Sequence, residues 1–224
     1  MLSKPPRCSD CHDDCEYLDE ISELRQQVDE LSEQVLTDAL TGLYNYRHLM
    51  WAMNQEIERL HRGGGSFSII VLDFDDFKLV NDNHGHEFGN QALKTVGTFL
   101  QRSLRKLDVP CRFGGEEFVL VLPSTELRDA VQLAERIREG VTHIQLMDGG
   151  QQVPLTVSMG VDVYRATERI TANMFLGRAD QFLLQAKQAG KNRVYYSRMT
   201  EPGDGMSADE RSALMDGFDE SPKN

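Results

Sequence analysis

The run Phe67-Ser68-Ile69-Ile70-Val71-Leu72 is almost continuously apolar and ends abruptly in Asp73-Phe74-Asp75-Asp76. A strand with one wet face alternates apolar and polar residues, and this run does not. It reads as a strand covered on both faces, which calls for helices above and below a sheet. The acids that follow it stand where open α/β sheets place their ligands. With 224 residues and 40% apolar content, the chain is large enough for one such domain plus extensions.

The rest of the pattern agrees with layered α/β architecture. Residues 37–45 form a turn-rich link, and Asn45 suits the N-cap of a helix reaching about residue 62. Leu49, Met53, Ile57 and Leu60 share one face of that helix, and Gly63-Gly64-Gly65 stops it. Further helices are expected over residues 90–105, 127–141 and 173–189, and strands over 109–113, 118–122, 153–163 and 193–196. The order β-α-β-β-α-β-α-β predicts a mixed sheet with helices against it.

The domain organisation reads as four parts. Residues 1–16 lack periodicity and form a leader; Cys8, Cys11, His12 and Cys15 either bind zinc or are incidental thiols. Over residues 17–36, Tyr17, Ile21, Leu24, Val28, Leu31 and Val35 are spaced 4, 3, 4, 3, 4. β-branched residues at a with Leu at d favour a parallel two-stranded coiled coil, and Glu20 at g can reach Arg25 at e of a second copy. The alternative is an amphipathic helix packed on its own domain. So short a seam is marginal alone, so help from the domain or a partner protein is expected. Residues 37–197 form the domain, and 198–224 an acidic tail. A formal net charge of -12 argues against a nucleic-acid binder, which needs a basic face. No apolar run approaches the roughly 20 residues of a membrane helix. No signal peptide is visible, and a cytoplasmic protein is expected.

Chemistry concentrates at Arg112-Phe113-Gly114-Gly115-Glu116-Glu117-Phe118, where two strands should join. A plain hairpin needs only a pair such as Asn-Gly. Two glycines let backbone approach a ligand, and two adjacent acids put carboxylates at the lip. If this hairpin lies beside the first strand, Asp73, Glu116 and Glu117 converge. Hard oxygen ligands with open positions suit Mg²⁺ shared with phosphates. An acidic, solvated hairpin is the other reading.

Several motifs in series resemble the GGDEF family, the diguanylate cyclases, over about residues 37–197. GGEEF is similar to the family signature. Asp38-x-Leu40-Thr41-x-Leu43-x-Asn45 resembles its opening motif. Asp73-x-Asp75-x-Phe77-Lys78-x-x-Asn81-Asp82-x-x-Gly85-His86-x-x-Gly89 resembles its metal and nucleotide segment. Arg178-Ala179-Asp180 and Ala186-Lys187-x-x-Gly190-Lys191-Asn192 resemble its last helix and phosphate-binding end. The resemblance implies a palm-like α/β (α+β) sheet flanked by helices, as in nucleotidyl cyclases, behind an N-terminal coiled-coil helix. It implies that two GTP condense to cyclic di-GMP and two pyrophosphates across a homodimer. Two Mg²⁺ or Mn²⁺ per site would be carried by Asp73, the Phe74 carbonyl, Glu116 and Glu117. Glu116 would take the hydroxyl proton. Backbone amides near Asp76 and Phe77 would cradle the terminal phosphates, with Lys78, Lys187 and Lys191 adding positive charge. Asn81 would meet the guanine edge in a slot lined by Leu40 and Leu93, with His86 and position 90 nearby.

At position 90 the chain departs from the pattern. The family usually reads GHxxGD, and here Gly85-His86-Glu87-Phe88-Gly89 is followed by Asn90. An asparagine offers one acceptor and one donor where an acid would accept twice from guanine. A bidentate base contact discriminates by roughly 1–3 kcal/mol, so the GTP preference would weaken by about 10- to 100-fold. Mixed cyclic GMP–AMP is the sharper alternative product. Arg105-x-x-Asp108, with Arg136 on the next helix, resembles the family's inhibitory product site. The plain alternative is an i,i+3 surface ion pair. Two other functions are weighed against the cyclase: a degenerate cyclic di-GMP or GTP receptor, and an interaction scaffold acting through its stalk. The intact Asp73, Glu116 and Glu117 favour the enzyme.

Overall fold

The computed structural model describes residues 21–25 and 36–197. The leader, the tail and most of the coiled-coil seam lie outside the described residues. Residues 21–25 are helical, with Ile21 41% and Leu24 52% exposed.

Helix α1 (Tyr46–Gly63) starts where the sequence expects, because the Asn45 side chain accepts from the His48 N–H at 3.1 Å. Gly64 ends it at φ +73, donating its N–H to Leu60 O. Strand β1 (Ser66–Phe74) is buried at every position. Strands β2 (Val109–Gly114) and β3 (Glu117–Pro123) form the hairpin beside it. The main sheet runs β2-β3-β1-β6-β7, with β6 (Val157–Arg165) antiparallel to β1 and parallel to β7 (Val194–Tyr196).

Both faces of the sheet are covered, as the unbroken apolar run requires. Ile70, Leu72, Phe74, Phe118 and Leu120 pack with α2 (Phe77–His84), α3 (His86–Ser103) and α4 (Leu127–Thr142). Phe67, Ile69, Val71, Val119 and Val121 pack with α1 and α5 (Ala172–Gln188). Strand and helix come very close at Gly160, opposite Val71. A Cβ there would lie 2.2 Å from Ala179 O and 2.4 Å from Leu183 N.

Two expectations are corrected. The helix expected over 90–105 begins at His86, and another, α2, precedes it. Gly85, at φ +83, breaks the two apart and obscures their common periodicity. The strand expected over 153–163 starts later, and its first residue, Val153, belongs to a separate hairpin. Leu146–Asp148 (β4) and Gln151–Val153 (β5) pair as that hairpin about Gly149 and Gly150, both with positive φ. Pro154 has no N–H to donate to a ladder, and β6 begins only at Val157.

Candidate active site

Strand register assembles the acids. Asp73 at the end of β1 is the direct partner of Glu117 on β3 and of Ser158 on β6. Residues directly opposite in an antiparallel pair present side chains to the same face. Asp73 is 5% exposed. From α5, Lys187 Nζ comes within 2.8 Å of Asp73 Oδ1, but off the hydrogen-bonding direction. Oδ1 is the buried side-chain oxygen left without a hydrogen bond among the described residues. Burial raises the Asp73 carboxyl above its ordinary range; Lys187 opposes the rise, and the charges of Glu116 and Asp75 add to it. Burial also raises Glu117, reinforced by the charges of Asp73 and Asp180. A carboxylate pair that repels and carries an unsatisfied oxygen fits a divalent cation. Among the described residues, no three acids, histidines or cysteines close round one point. The donor set is thus open and would need the Phe74 carbonyl and ligand oxygens to complete it. The Phe74 side chain is itself buried and stacks on Phe77 at 5.0 Å.

The loop after β1 is built on Asp75, which sequence reasoning did not single out. Its carboxylate accepts from Ser158 Oγ at 2.6 Å, Thr156 Oγ1 at 2.7 Å and the Asn192 N–H at 2.9 Å. These bonds tie the loop to β6 and to the turn after α5. Asp76 sits at φ 53 and Lys191 and Asn192 at φ 60 and 46, so two left-handed turns face one another. Lys191 Nζ donates to Asp76 Oδ1 at 2.6 Å, which raises the lysine pKa. The N–H groups of Leu79 and Val80 turn back onto Asp76 O. Those of Phe77 and Lys78 are the remaining first-turn amides of α2, the kind that holds phosphate. Lys78 is exposed and ion-pairs with none of the described residues.

The base-slot candidates also meet. Asn81 on α2 lies over Gly89 on α3, where a Cβ would fall 1.9 Å from Asn81 Oδ1. Asn90 is the next residue, and Leu93 follows one turn later, buried with partly buried Leu40 against the same core. His86 opens α3, is exposed, and hydrogen-bonds to none of the described residues.

The two signature glycines leave open space at the tip of the hairpin. No atom lies within 4 Å of where either Cβ would be, and only Gly115 has positive φ, at +48. The turn is held from behind by Arg112, also missed. Arg112 Nε and Nη2 donate to Gly115 O at 2.9 and 2.7 Å. Its Nη1 lies 3.1 Å from both oxygens of Asp38. Burial pushes the Asp38 carboxyl up, but hydrogen bonds from Thr41 and Arg112 outweigh it and hold the group below its ordinary value. The signal was in view, since both residues lie inside the quoted motifs, but only the fold shows them touching.

A second cavity of about 210 Å³ is lined by Arg105, Asp108 and Arg136 together, with Ser103, Asp129 and Gln132. Asp108 Oδ2 accepts the Arg105 N–H at 2.8 Å and so caps the turn between them. Another cavity, of about 300 Å³, lies between Val71, Val119, Leu176 and Gly177, with Glu117 and Asp180 at its rim. No helix among the described residues is long and apolar enough to cross a membrane.

The chain is 39% identical over 173 residues to the response regulator PleD of Caulobacter vibrioides, a match covering 76% of this chain and 38% of PleD. It is 39% identical over 167 residues to the diguanylate cyclase DgcP of Pseudomonas aeruginosa, covering 75% of this chain and 25% of DgcP. The chain therefore spans well under half the length of these relatives. Among solved structures it resembles the diguanylate cyclase SiaD in complex with its activator SiaC from Pseudomonas aeruginosa. There the TM-score is 0.70 at 37% identity, over 81% of this chain and 71% of SiaD. It also resembles the coiled coil and GGDEF domain of DgcB from Caulobacter crescentus in complex with c-di-GMP. That TM-score is 0.69 at 26% identity, over 81% of this chain and 96% of that one. The family profile described as diguanylate cyclase, GGDEF domain, matches residues 35–193, and this chain belongs to that family.

Proposed function

We propose that the chain is a diguanylate cyclase that joins two GTP into cyclic di-GMP, releasing two pyrophosphates. The observation that carries this reading is the pairing of Asp73 with Glu117 at the strand ends, with an unsatisfied Asp73 oxygen beside Lys187. It is supported by family membership and by relatives named as diguanylate cyclases.

Each protomer binds one GTP. Asn81 and Asn90 read the base edge above Gly89, with Leu40 and Leu93 against its faces. Lys78, Lys187, Lys191 and the first amides of α2 take the phosphates, so Lys187 and Lys191 exchange Asp73 and Asp76 for phosphate oxygens. Asp73, the Phe74 carbonyl, Glu116 and Glu117 would hold the divalent cations, Mg²⁺ or Mn²⁺, two per site. Bound there, such ions lower the pKa of a hydroxyl and neutralise a leaving pyrophosphate. Glu116, in the open turn, accepts the proton of the 3′-hydroxyl as it attacks the α-phosphorus of the other protomer's GTP. Two copies must face each other, and the seam over 17–36 supplies the homodimer. The SiaD–SiaC complex supports a further expectation, an activating protein on that stalk. The cavity of Arg105, Asp108 and Arg136 binds product and restrains the protomers.

The test is a competition. Purified protein with Mg²⁺ receives equal GTP and ATP, and products are identified by mass. Cyclic di-GMP alone supports the reading. Mixed cyclic GMP–AMP means Asn90 has relaxed base selection. No product, even with the stalk replaced by a strong parallel zipper, overturns the cyclase in favour of a receptor.

A further inference from the structure

We propose that Arg112 is a positioning residue for the reaction, joining the segment that enters the domain to the turn that carries Glu116 and Glu117. This rests on the cyclase reading above.

Nothing packs on the glycines of the turn Gly114-Gly115-Glu116, since no atom lies within 4 Å of a Cβ built on either. A register shift between Arg112 and Gly114 also interrupts the β2–β3 ladder just before it. Without further support, such a turn samples many conformations. The support is the Arg112 guanidinium, which donates twice to Gly115 O. Gly115 O belongs to the peptide group whose nitrogen is that of Glu116, so holding it fixes where the Glu116 side chain departs.

The other end of the guanidinium rests on Asp38, whose carboxylate is already fixed by the Thr41 N–H at 2.8 Å and Thr41 Oγ1 at 2.7 Å. The link is backed by main chain. Asn45 N–H donates to Leu36 O, Tyr44 N–H to Pro110 O, and Arg112 N–H to Tyr44 O. The segment leaving the stalk is thus sewn along the outer edge of β2 as far as the residue that grips the turn. Arg112 and Asp38 side chains are only 15% and 24% exposed, so water screens this pair less than a surface bridge. Only arginine has the planar fork to serve both partners at once; a lysine would supply one nitrogen and must choose.

The Arg112 side chain touches neither base nor phosphate candidates, whereas Leu40 sits within the turn that Asp38 holds, so KM is read in the Arg112 single variants. Loss of the Arg112 side chain should misplace the acids without weakening GTP binding. The experiment uses the full chain, with variants R112K, R112A, D38A and the double D38A/R112A. Initial rates are measured over GTP concentration, alongside amide hydrogen exchange of residues 114–117. We expect R112K and R112A alike to lower kcat by about 10- to 100-fold, the scale of a misplaced catalytic group. KM in these two should stay within about twofold, and the double variant should be no worse than R112A in kcat, as for two residues acting through one link. Exchange at 114–117 should quicken in all variants. Wild-type kcat in R112K, a proportional rise in KM in either Arg112 single variant, or additive losses would each overturn the proposal. If wild type itself makes no dinucleotide, the cyclase reading fails separately, and unchanged exchange at 114–117 in R112A would still refute the link.

Discussion

Replacing Gly160 by alanine should damage the protein through a single methyl group. The Cβ would lie 2.2 Å from Ala179 O and 2.4 Å from Leu183 N, both backbone atoms of α5. Ordinary contact begins near 3.4 Å, so helix and strand must separate by about 1.2 Å, the difference of those two distances. No rotamer can relieve a clash with backbone. Overpacking of this kind costs about 1–3 kcal/mol, and the rigid neighbours put this case near 3. For a domain of this size that is a fall in Tm of about 6–12 °C. The helix that must move carries Lys187, one turn beyond Leu183, against Asp73. Molecules that remain folded should therefore also bind GTP more weakly. Thermal unfolding with and without GTP reads both effects. A Tm within about 2 °C of wild type would refute the claim that this contact sets the depth of α5.

Other outcomes follow from the same geometry. Gly89→Ala meets the far end of a flexible Asn81 side chain at 1.9 Å. Its Tm should move little while KM for GTP rises by about 10-fold, the scale of one lost base contact; an unchanged KM would remove Asn81 from base reading. Asp73→Asn should abolish turnover yet stabilise the protein in EDTA at neutral pH. The Asp73 carboxyl is held above its ordinary value by burial, so ionising it costs the folded state more than the unfolded one. That penalty is absent below the ordinary carboxylate pKa and complete above the raised one. The gain in Tm should therefore vanish in acid, and a gain that persists there would show another cause. Arg178→Leu strands Asp162, which is 2% exposed and hydrogen-bonded to Arg178 Nε. Breaking a buried pair costs about 3–5 kcal/mol, reduced to about 2–4 because the Arg178 side chain is 37% exposed; urea unfolding measures it.

The parts of the fold legible beforehand were those written in strong local signals. The apolar run of β1 needed two covered faces, and Asn45 could cap only what followed it. Where a glycine or proline interrupted a period, the reading failed. Gly85 hid α2 in front of α3, and Pro154 hid the β4–β5 hairpin. At the site, the paired acids were legible in residue type, whereas the lysines and the Arg105–Asp108–Arg136 group were read through the family resemblance. Asp75 and Arg112 were not legible, because each acts through partners distant in sequence: Ser158 and Asn192 for one, Asp38 for the other. A buried aspartate bonded to a loop looks, in sequence, like one more acid among three.

The facing of Asp73 with Glu117 and Ser158 has a consequence for how the chain becomes competent. The ends of β1, β3 and β6 come from distant stretches of sequence, and pairings of that kind are slow and form only once long loops are closed. A nascent or half-folded chain thus carries every acid of the site but not their juxtaposition. Turnover is then a count of completely folded molecules. A core lesion far from those strand ends, such as one at buried Leu60, should lower the number of working enzymes while each survivor runs at full speed.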